Sequence, residues 1–224
     1  MPSTAAETAR TLASGHLPGR LTLFSLPEDV PVPHATTADG QVLLAARRGS
    51  RAWRSLTAGR EDETAVLTID DVPPYPESPW LGRVQVCGWF RRVPDSAMPG
   101  ALAAYAASSP LGTVGGPELF QVEVGEVWLD QADAVTVEPE EFAAAAPDPL
   151  HPYERDLLLD LRRYHADELA DLVPGHPGQC LPVRLDQYGL ALAAPELYRL
   201  EFSPPADCPR CVAHALRLTH TTHS

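Results

Sequence analysis

Two long runs of alternating apolar and polar residues, Arg83 to Val93 (RVQVCGWFRRV) and Leu119 to Leu129 (LFQVEVGEVWL), constrain this chain more than any other feature. A period of two sends successive side chains to opposite faces, so each run predicts a long, half-buried strand. Shorter strands are expected over Arg20–Leu26, over Gln41–Ala46 after the turn signal Asp39-Gly40, and over Ala65–Asp70. The stretch Val72 to Gly82 (VPPYPESPWLG) contains four prolines and cannot lie inside a sheet. Helices are expected over Ala5–Ser14, Ser50–Arg60 and the Ala-rich stretch Ala97–Ala107. Many strands on short turns with few helices predict a small barrel.

A chain of 224 residues with 44% hydrophobic and 21% charged residues has the balance of a globular protein, which excludes wholesale disorder. Its apolar stretches are broken well short of a membrane span, and Met1 to Gly15 lacks a basic start followed by an apolar block, so a cytoplasmic location is expected. The net charge of −13 argues against nucleic acid, because non-specific affinity rests on cations that neutralise phosphates. All 17 cations are Arg and there is no Lys, a bias we read as that of a GC-rich, actinobacterial-type genome. Four cysteines are too few for a disulfide scaffold and read as reduced thiols or ligands.

Glu138 to Pro149 (EPEEFAAAAPDP) reads as an interdomain joint, dividing the chain into domains 1–147 and 148–224. Beyond it, a helix is expected from Pro152 to Val173, with an apolar stripe of Leu158, Leu161, His165, Leu169 and Leu172 that puts His165 on the buried face. Strands over Leu181–Leu185, Leu190–Ala193 and Leu197–Phe202 follow, then a helix from Cys208 to about Leu218 capped by Asp207. The second domain is therefore α-β-β-β-α.

The stretches DLLLDLRRYHADELADLV, PVRLDQYGLALA and YRLEFSPPAD resemble the C-terminal domain of HugZ-type haem-utilisation proteins, which carry a His-Ala-Asp-like helix motif and an Arg-Leu-Asp-x-Tyr-Gly turn. HATTADGQVLLAARRGSRAWRSLTAGREDETAVLTI is similar to part of the pyridoxamine-phosphate-oxidase-like barrel that precedes it in those families. The resemblance implies an α+β protein, an FMN-binding-type split β-barrel followed by the α-β-β-β-α domain. It also implies a homodimer whose relatives bind haem or FMN at the subunit interface, some degrading haem oxidatively. Two departures stand out. Cofactor-binding relatives carry a Gly-Gly-Phe-Gly-like turn where this chain has Asp130 to Ala134, and an Asn-x-Asp-His motif where it has Arg162-Arg163-Tyr164-His165.

Arg47, Arg48, Ser50 and Arg51 lie between a strand and a helix, where guanidinium and free N–H groups could hold an FMN phosphate or haem propionates. The plainer reading is an exposed cationic turn. His165 could be an iron ligand with Asp167, Glu168 or Asp171 orienting its second nitrogen, or simply a packed histidine. The resemblance suggests an axial histidine from the C-terminal tail, where His220 and His223 stand; a frayed terminus is the alternative. Cys208, Cys211 and His214 form a C-x₂-C-x₂-H run that Cys180 or His176 could complete as a zinc site; a redox-sensitive thiol pair or inert cysteines are the other readings. Cys87 is expected in the core. No nucleophile elbow, phosphate-binding P-loop or HExxH occurs, and Gly112 to Gly116 precedes a strand, so it makes a poor phosphate cradle. Two functions follow: a haem-binding, less readily FMN-binding, split-barrel protein, or a non-catalytic partner-binding protein that keeps the fold without cofactor.

Overall fold

The computed structural model describes residues 3–25, 28–58, 63–109, 117–173 and 180–222. They form two compact units, Thr4–Asp71 with Leu81–Pro147, and the chain from Asp148 onward with Val72–Trp80.

In chain order the first unit contains α1 (Ala5–Leu12), β1 (Gly19–Leu23), β2 (Val30–Val32), β3 (His34–Thr36), β4 (Val42–Ala46), α2 (Arg51–Ala58), β5 (Thr64–Asp71), β6 (Gly82–Arg92), α3 (Met98–Ser108), β7 (Glu118–Asp130), β8 (Ala134–Val137) and α4 (Pro139–Ala144). The antiparallel strands run β2-β1-β5-β6-β7-β4-β3, with β8 appended to β7. Because β2 and β3 are consecutive through Pro33, the first and last strands of that path belong to one segment, and the sheet closes on itself as a barrel. The Pro33 carbonyl accepts the Ala45 N–H at 2.8 Å, stitching the seam. The fold is the expected α+β split barrel, although β2 and β3, which close it, are absent from the sequence reading.

The interior is filled by one face of each strand, Leu21, Leu23, Leu67, Ile69, Val84, Val86 and Phe120 among them, and by Ala9 and Leu12 of α1. Thr4 and Glu7 start α1 with a reciprocal capping box, Glu7 N–H to Thr4 Oγ1 at 3.2 Å and Thr4 N–H to Glu7 Oε2 at 2.8 Å. Strand β4 is buried on both faces. Val42, Leu44 and Ala46 point into the barrel, while Leu43 and Ala45 pack under Tyr105 and Leu102 of α3. The β6–β7 register slips between Cys87 and Gly88, leaving Gly125 as the extra residue of a bulge. A side chain at Gly88 would lie 2.0 Å from the Glu123 carbonyl, so the close approach there requires glycine. The segment read as an interdomain joint contributes α4 instead, whose Phe142 is fully buried in the barrel core. Pro139 at its first turn and four following alanines conceal a helix inside a linker-like composition.

The second unit contains α5 (His151–Tyr164), α6 (Ala166–Asp171), β9 (Leu181–Asp186), β10 (Gly189–Ala193), β11 (Leu197–Glu201) and α7 (Pro209–Thr222), with the sheet ordered β11-β10-β9. The single helix expected from Pro152 to Val173 is broken at His165, whose φ of −126° and ψ of 19° end α5 and begin α6. No Pro or Gly marks that break in sequence, so the apolar periodicity runs straight across it. The Pro-rich loop belongs to this unit because Tyr75 buries its ring in the same core as Leu158 and Leu190, donating its hydroxyl to the Leu158 carbonyl at 2.6 Å. Burial pushes the Tyr75 phenol up to about 12. Arg162 stacks over the ring, 4.5 Å from its centroid, and pairs with Glu77.

The Arg-Leu-Asp-x-Tyr-Gly run is a hairpin device. Asp186 accepts the Tyr188 N–H at 2.8 Å and Arg199 Nη2 at 2.6 Å, closing the two-residue β9–β10 turn. A Cβ at Gly189 would lie 2.1 Å from the Leu200 carbonyl, which fixes that last position.

Candidate functional site

The cationic turn between β4 and α2 is capped from within. Ser50 Oγ accepts the Trp53 N–H at 3.1 Å and the Ser50 carbonyl accepts the Arg54 N–H at 3.0 Å, so Ser50 serves as the helix cap. Gly49 takes a positive φ of 77° just before it. Arg47 and Arg48 are exposed. Arg48 Nε lies 3.5 Å from Glu118 Oε2, and Arg51 pairs with Glu28.

Glu118 is the residue the sequence reading passed over. It opens β7, is only 8% exposed, and accepts the Trp53 indole N–H and the Arg92 Nε–H. The Trp53 hydrogen bond, helped by Arg92 and Arg48, holds its carboxyl below the usual range against the opposing cost of burial. The cationic turn thus carries an anion of its own. Glu118 takes N–H groups of Trp53 and Arg92, whereas Arg48 and Arg51, with side chains 75% and 58% exposed, keep much of their guanidinium surface open to a ligand phosphate or carboxylate. The signal for Glu118 was available as an acidic residue at the first position of an apolar strand, a place where a free carboxylate would be costly. Gly112 to Gly116 lie outside the described residues.

A second candidate lies wholly in the C-terminal unit. Leu157 and Leu161 of α5, Leu169 of α6 and Leu172 just after it face Val212 and Leu216 of α7 across a cavity of about 420 Å³. That is the size and character of a small-molecule site, apolar with a few polar groups at its edge. Those groups are Asp160, His165 and Glu168. The helix break corrects the expected burial of His165. Its side chain is 43% exposed, and Nδ1 lies 2.6 Å from Glu168 Oε2, one of the three acids expected to orient it. A carboxylate on Nδ1 leaves Nε2 as the nitrogen for a metal or ligand, the arrangement commonly found in histidine ligation.

The other histidines are placed less fully. Helix α7 runs to Thr222, four residues beyond the expected Leu218, so His220 lies on helical backbone rather than in a tail. The His220 side chain and all of His223 lie outside the described residues, as does His176. Within the barrel, His34 is buried on the closing segment, where only a glycine at position 19 leaves room for its ring. Burial pushes its imidazole down to about 4, and its Nε2 has no hydrogen-bond partner among the described residues.

Cys208 and Cys211 are joined as a disulfide at the start of α7. Among the described residues the one group of potential metal ligands is Asp207, Cys208 and Cys211, and His214 stands apart from it. Joined sulfurs offer no thiolate, and Cys180 is buried in the core of the unit, where burial raises its thiol. Burial likewise raises the half-buried Cys87 thiol.

No family model matches the chain, and no curated protein does. Solved structures do. A haem-binding protein from Mycobacterium smegmatis aligns with a TM-score of 0.64 and 21% identity over 99% of this chain and 98% of its own. A protein of unknown function from Agrobacterium tumefaciens covers 97% of this chain and 95% of its own, with a TM-score of 0.49 and 18% identity. An FAD- and haem-binding protein from M. smegmatis covers 64% of this chain and 80% of its own, with a TM-score of 0.43 and 18% identity. The first of these likenesses spans both units and establishes the fold. No helix of the described residues is long and apolar enough to cross a membrane.

Proposed function

We propose that this is a haem-binding split-barrel protein of the haem-utilisation type, with FMN as the less favoured cofactor. The observation that carries the reading is His165, held by Glu168 at the edge of an apolar cavity, on a chain whose fold follows a haem-binding protein over nearly its full length. His165 is the iron ligand best supported by geometry, and His220 and His223 remain ligands by resemblance. Arg47, Arg48 and Arg51 of the barrel are, by resemblance, a separate candidate for holding anionic groups of a cofactor. Bound haem would supply the redox chemistry of its iron, and the protein's part is to present an imidazole and to surround the ring with Leu side chains. A second copy of the chain completes the binding site. Trp89 and Trp128, both nearly half-exposed on the outer face of β6 and β7, suit such an interface.

One observation favours the second reading, a partner-binding protein without cofactor: Glu118 already neutralises part of the cationic turn. A haemin titration of the purified chain separates the two. A saturable Soret shift at one haem per chain, lost or displaced in His165→Ala, is the expected result. A shift that survives in His165→Ala but fails in the double variant His220→Ala/His223→Ala moves the ligand to the C-terminus. No saturable shift in the unsubstituted protein overturns haem binding, and bleaching under ascorbate and air would add turnover.

A further inference from the structure

The Cys208-Pro209-Arg210-Cys211 pair is unused by cofactor binding, and its surroundings are asymmetric. Cys208 precedes the first turn of α7, a helix of 14 residues, and the Cys211 N–H donates to Cys208 Sγ at 3.2 Å. On the other side, Cys211 Sγ lies 3.3 Å from Asp207 Oδ1. The helix amide favours negative charge on the Cys208 sulfur. Asp207 opposes negative charge on Cys211. Both cysteines are half-buried, so solvent and small reagents reach them.

A structural staple is a poor account of this bond. It closes a loop of one helical turn that is already held by the Val212 N–H on the Cys208 carbonyl at 3.1 Å, and so short a loop gives little entropic stabilisation.

We propose that Cys208 and Cys211 form a reversible dithiol–disulfide pair that exchanges with low-molecular-weight thiols and disulfides, with Cys208 as the attacking sulfur and Cys211 as the resolving one. In the oxidising direction the Cys208 thiolate attacks one sulfur of a small disulfide, RSSR. The S–S bond of RSSR breaks, RS⁻ leaves, and a mixed disulfide forms on Cys208. Cys211 then gives up its proton beside Asp207 and attacks Cys208 Sγ, expelling the second RS⁻. The two thiolates take up the two protons lost by the cysteines, so the protein dithiol is oxidised by two electrons and RSSR is reduced to two RSH. Reduction by two thiols is the reverse. Pro209, between the two cysteines, lines the cavity that His165 borders, but the exchange needs only the two sulfurs, so its failure leaves the haem reading untouched.

The test is redox equilibration of the full chain in graded ratios of reduced to oxidised glutathione, acid quenching, maleimide labelling and peptide mass mapping. Cys208 and Cys211 should lose their labels together in one two-electron step, while Cys87 and Cys180 keep theirs. In Cys211→Ser, oxidised glutathione should accumulate as an adduct on residue 208. Cys208→Ser, which retains a capping oxygen, should accumulate at least tenfold less adduct on Cys211 in the same time. Equal trapping in the two variants overturns the assigned roles, and labels that do not respond to the ratio overturn the exchange. About one zinc per purified chain that is lost in Cys208→Ser would make the pair a metal site and likewise overturn the proposal.

Discussion

The barrel and the C-terminal unit bury polar groups in opposite ways. In the barrel, His34 lies in an apolar wall, and Arg10, fully buried in α1, gives one N–H to the Thr37 carbonyl, while His34 Nε2 and Arg10 Nε and Nη1 find no hydrogen-bond partner among the described residues. Its remaining support is the face of Phe142, 5.5 Å away, and the charge of Asp39 opposing the burial that lowers its basicity. In the C-terminal unit the polar groups are cross-linked. Asp148 accepts N–H groups from Leu150 and Gln187 at 2.7 and 2.8 Å. Glu154 accepts the Leu185 N–H at 3.0 Å and lies 3.2 Å from Arg184 and 3.0 Å from His151. Burial pushes the Arg184 guanidinium down to about 10 against the opposing charge of Asp186, so it is charged at neutral pH with carboxylates beside it. Isolated polar groups are costly in such surroundings, and the barrel carries them because the burial of its large apolar core offsets that cost. The smaller unit, with one three-stranded sheet, uses a shared carboxylate to tie its first helix to β9.

Removing that carboxylate gives the largest expected effect. Glu154→Ala takes one carboxylate from Arg184, beside which Asp186 remains, together with the acceptor of the buried Leu185 N–H, and should cost about 3–5 kcal/mol. Denaturant unfolding followed by fluorescence should show the C-terminal transition moving to lower denaturant while the barrel transition stays. A loss below about 1 kcal/mol would place the network at the level of a surface pair and erase the contrast.

The barrel's own weakness is acid. With a folded value near 4 against an ordinary value near 6.5, His34 binds fewer protons in the folded chain than in the unfolded one between those limits. Its contribution to stability is complete above about pH 6.5 and is lost progressively as the pH falls toward 4, by about 3 kcal/mol in all. His34→Leu should flatten the dependence of unfolding free energy on pH across that window. An unchanged slope would mean that the imidazole is protonated inside the barrel.

How much of this was legible in sequence depends on distance along the chain. Strands β6 and β7 follow from period-two alternation because each is long enough to show it, and β4 from the turn signal before it. The closing segment was not visible, since β2 and β3 have three residues each and Pro31 and Pro33 argue against a strand. Those prolines are tolerated where the chain passes from one edge of the sheet to the other, a circumstance only the closed barrel creates. The cations of the β4–α2 turn were legible as charges, but Glu118 lies 70 residues beyond Arg48 and meets it only through the β4–β7 pairing. His165 was chosen for its place on an apolar stripe and proved to sit at a break in it. Its Glu168 partner was nevertheless visible three residues away, because the short α6 keeps that spacing.

The smallest effect sharpens the assignment of the Pro-rich loop. Val72–Trp80 is continuous with barrel strands at both ends yet belongs to the C-terminal unit, and the Tyr75 hydroxyl is its one hydrogen bond to the α5 backbone among the described contacts. Tyr75→Phe keeps the buried ring and the Arg162 stacking and removes only that bond, which should cost about 1 kcal/mol. Because the Leu158 carbonyl lies within α5, the loss should appear as faster hydrogen exchange in the loop and in the middle of α5, with barrel strands β5 and β6 unaffected. Faster exchange in β5 and β6 instead would mean that the loop takes its stability from the hairpin that carries it, and that Tyr75 contributes only its ring.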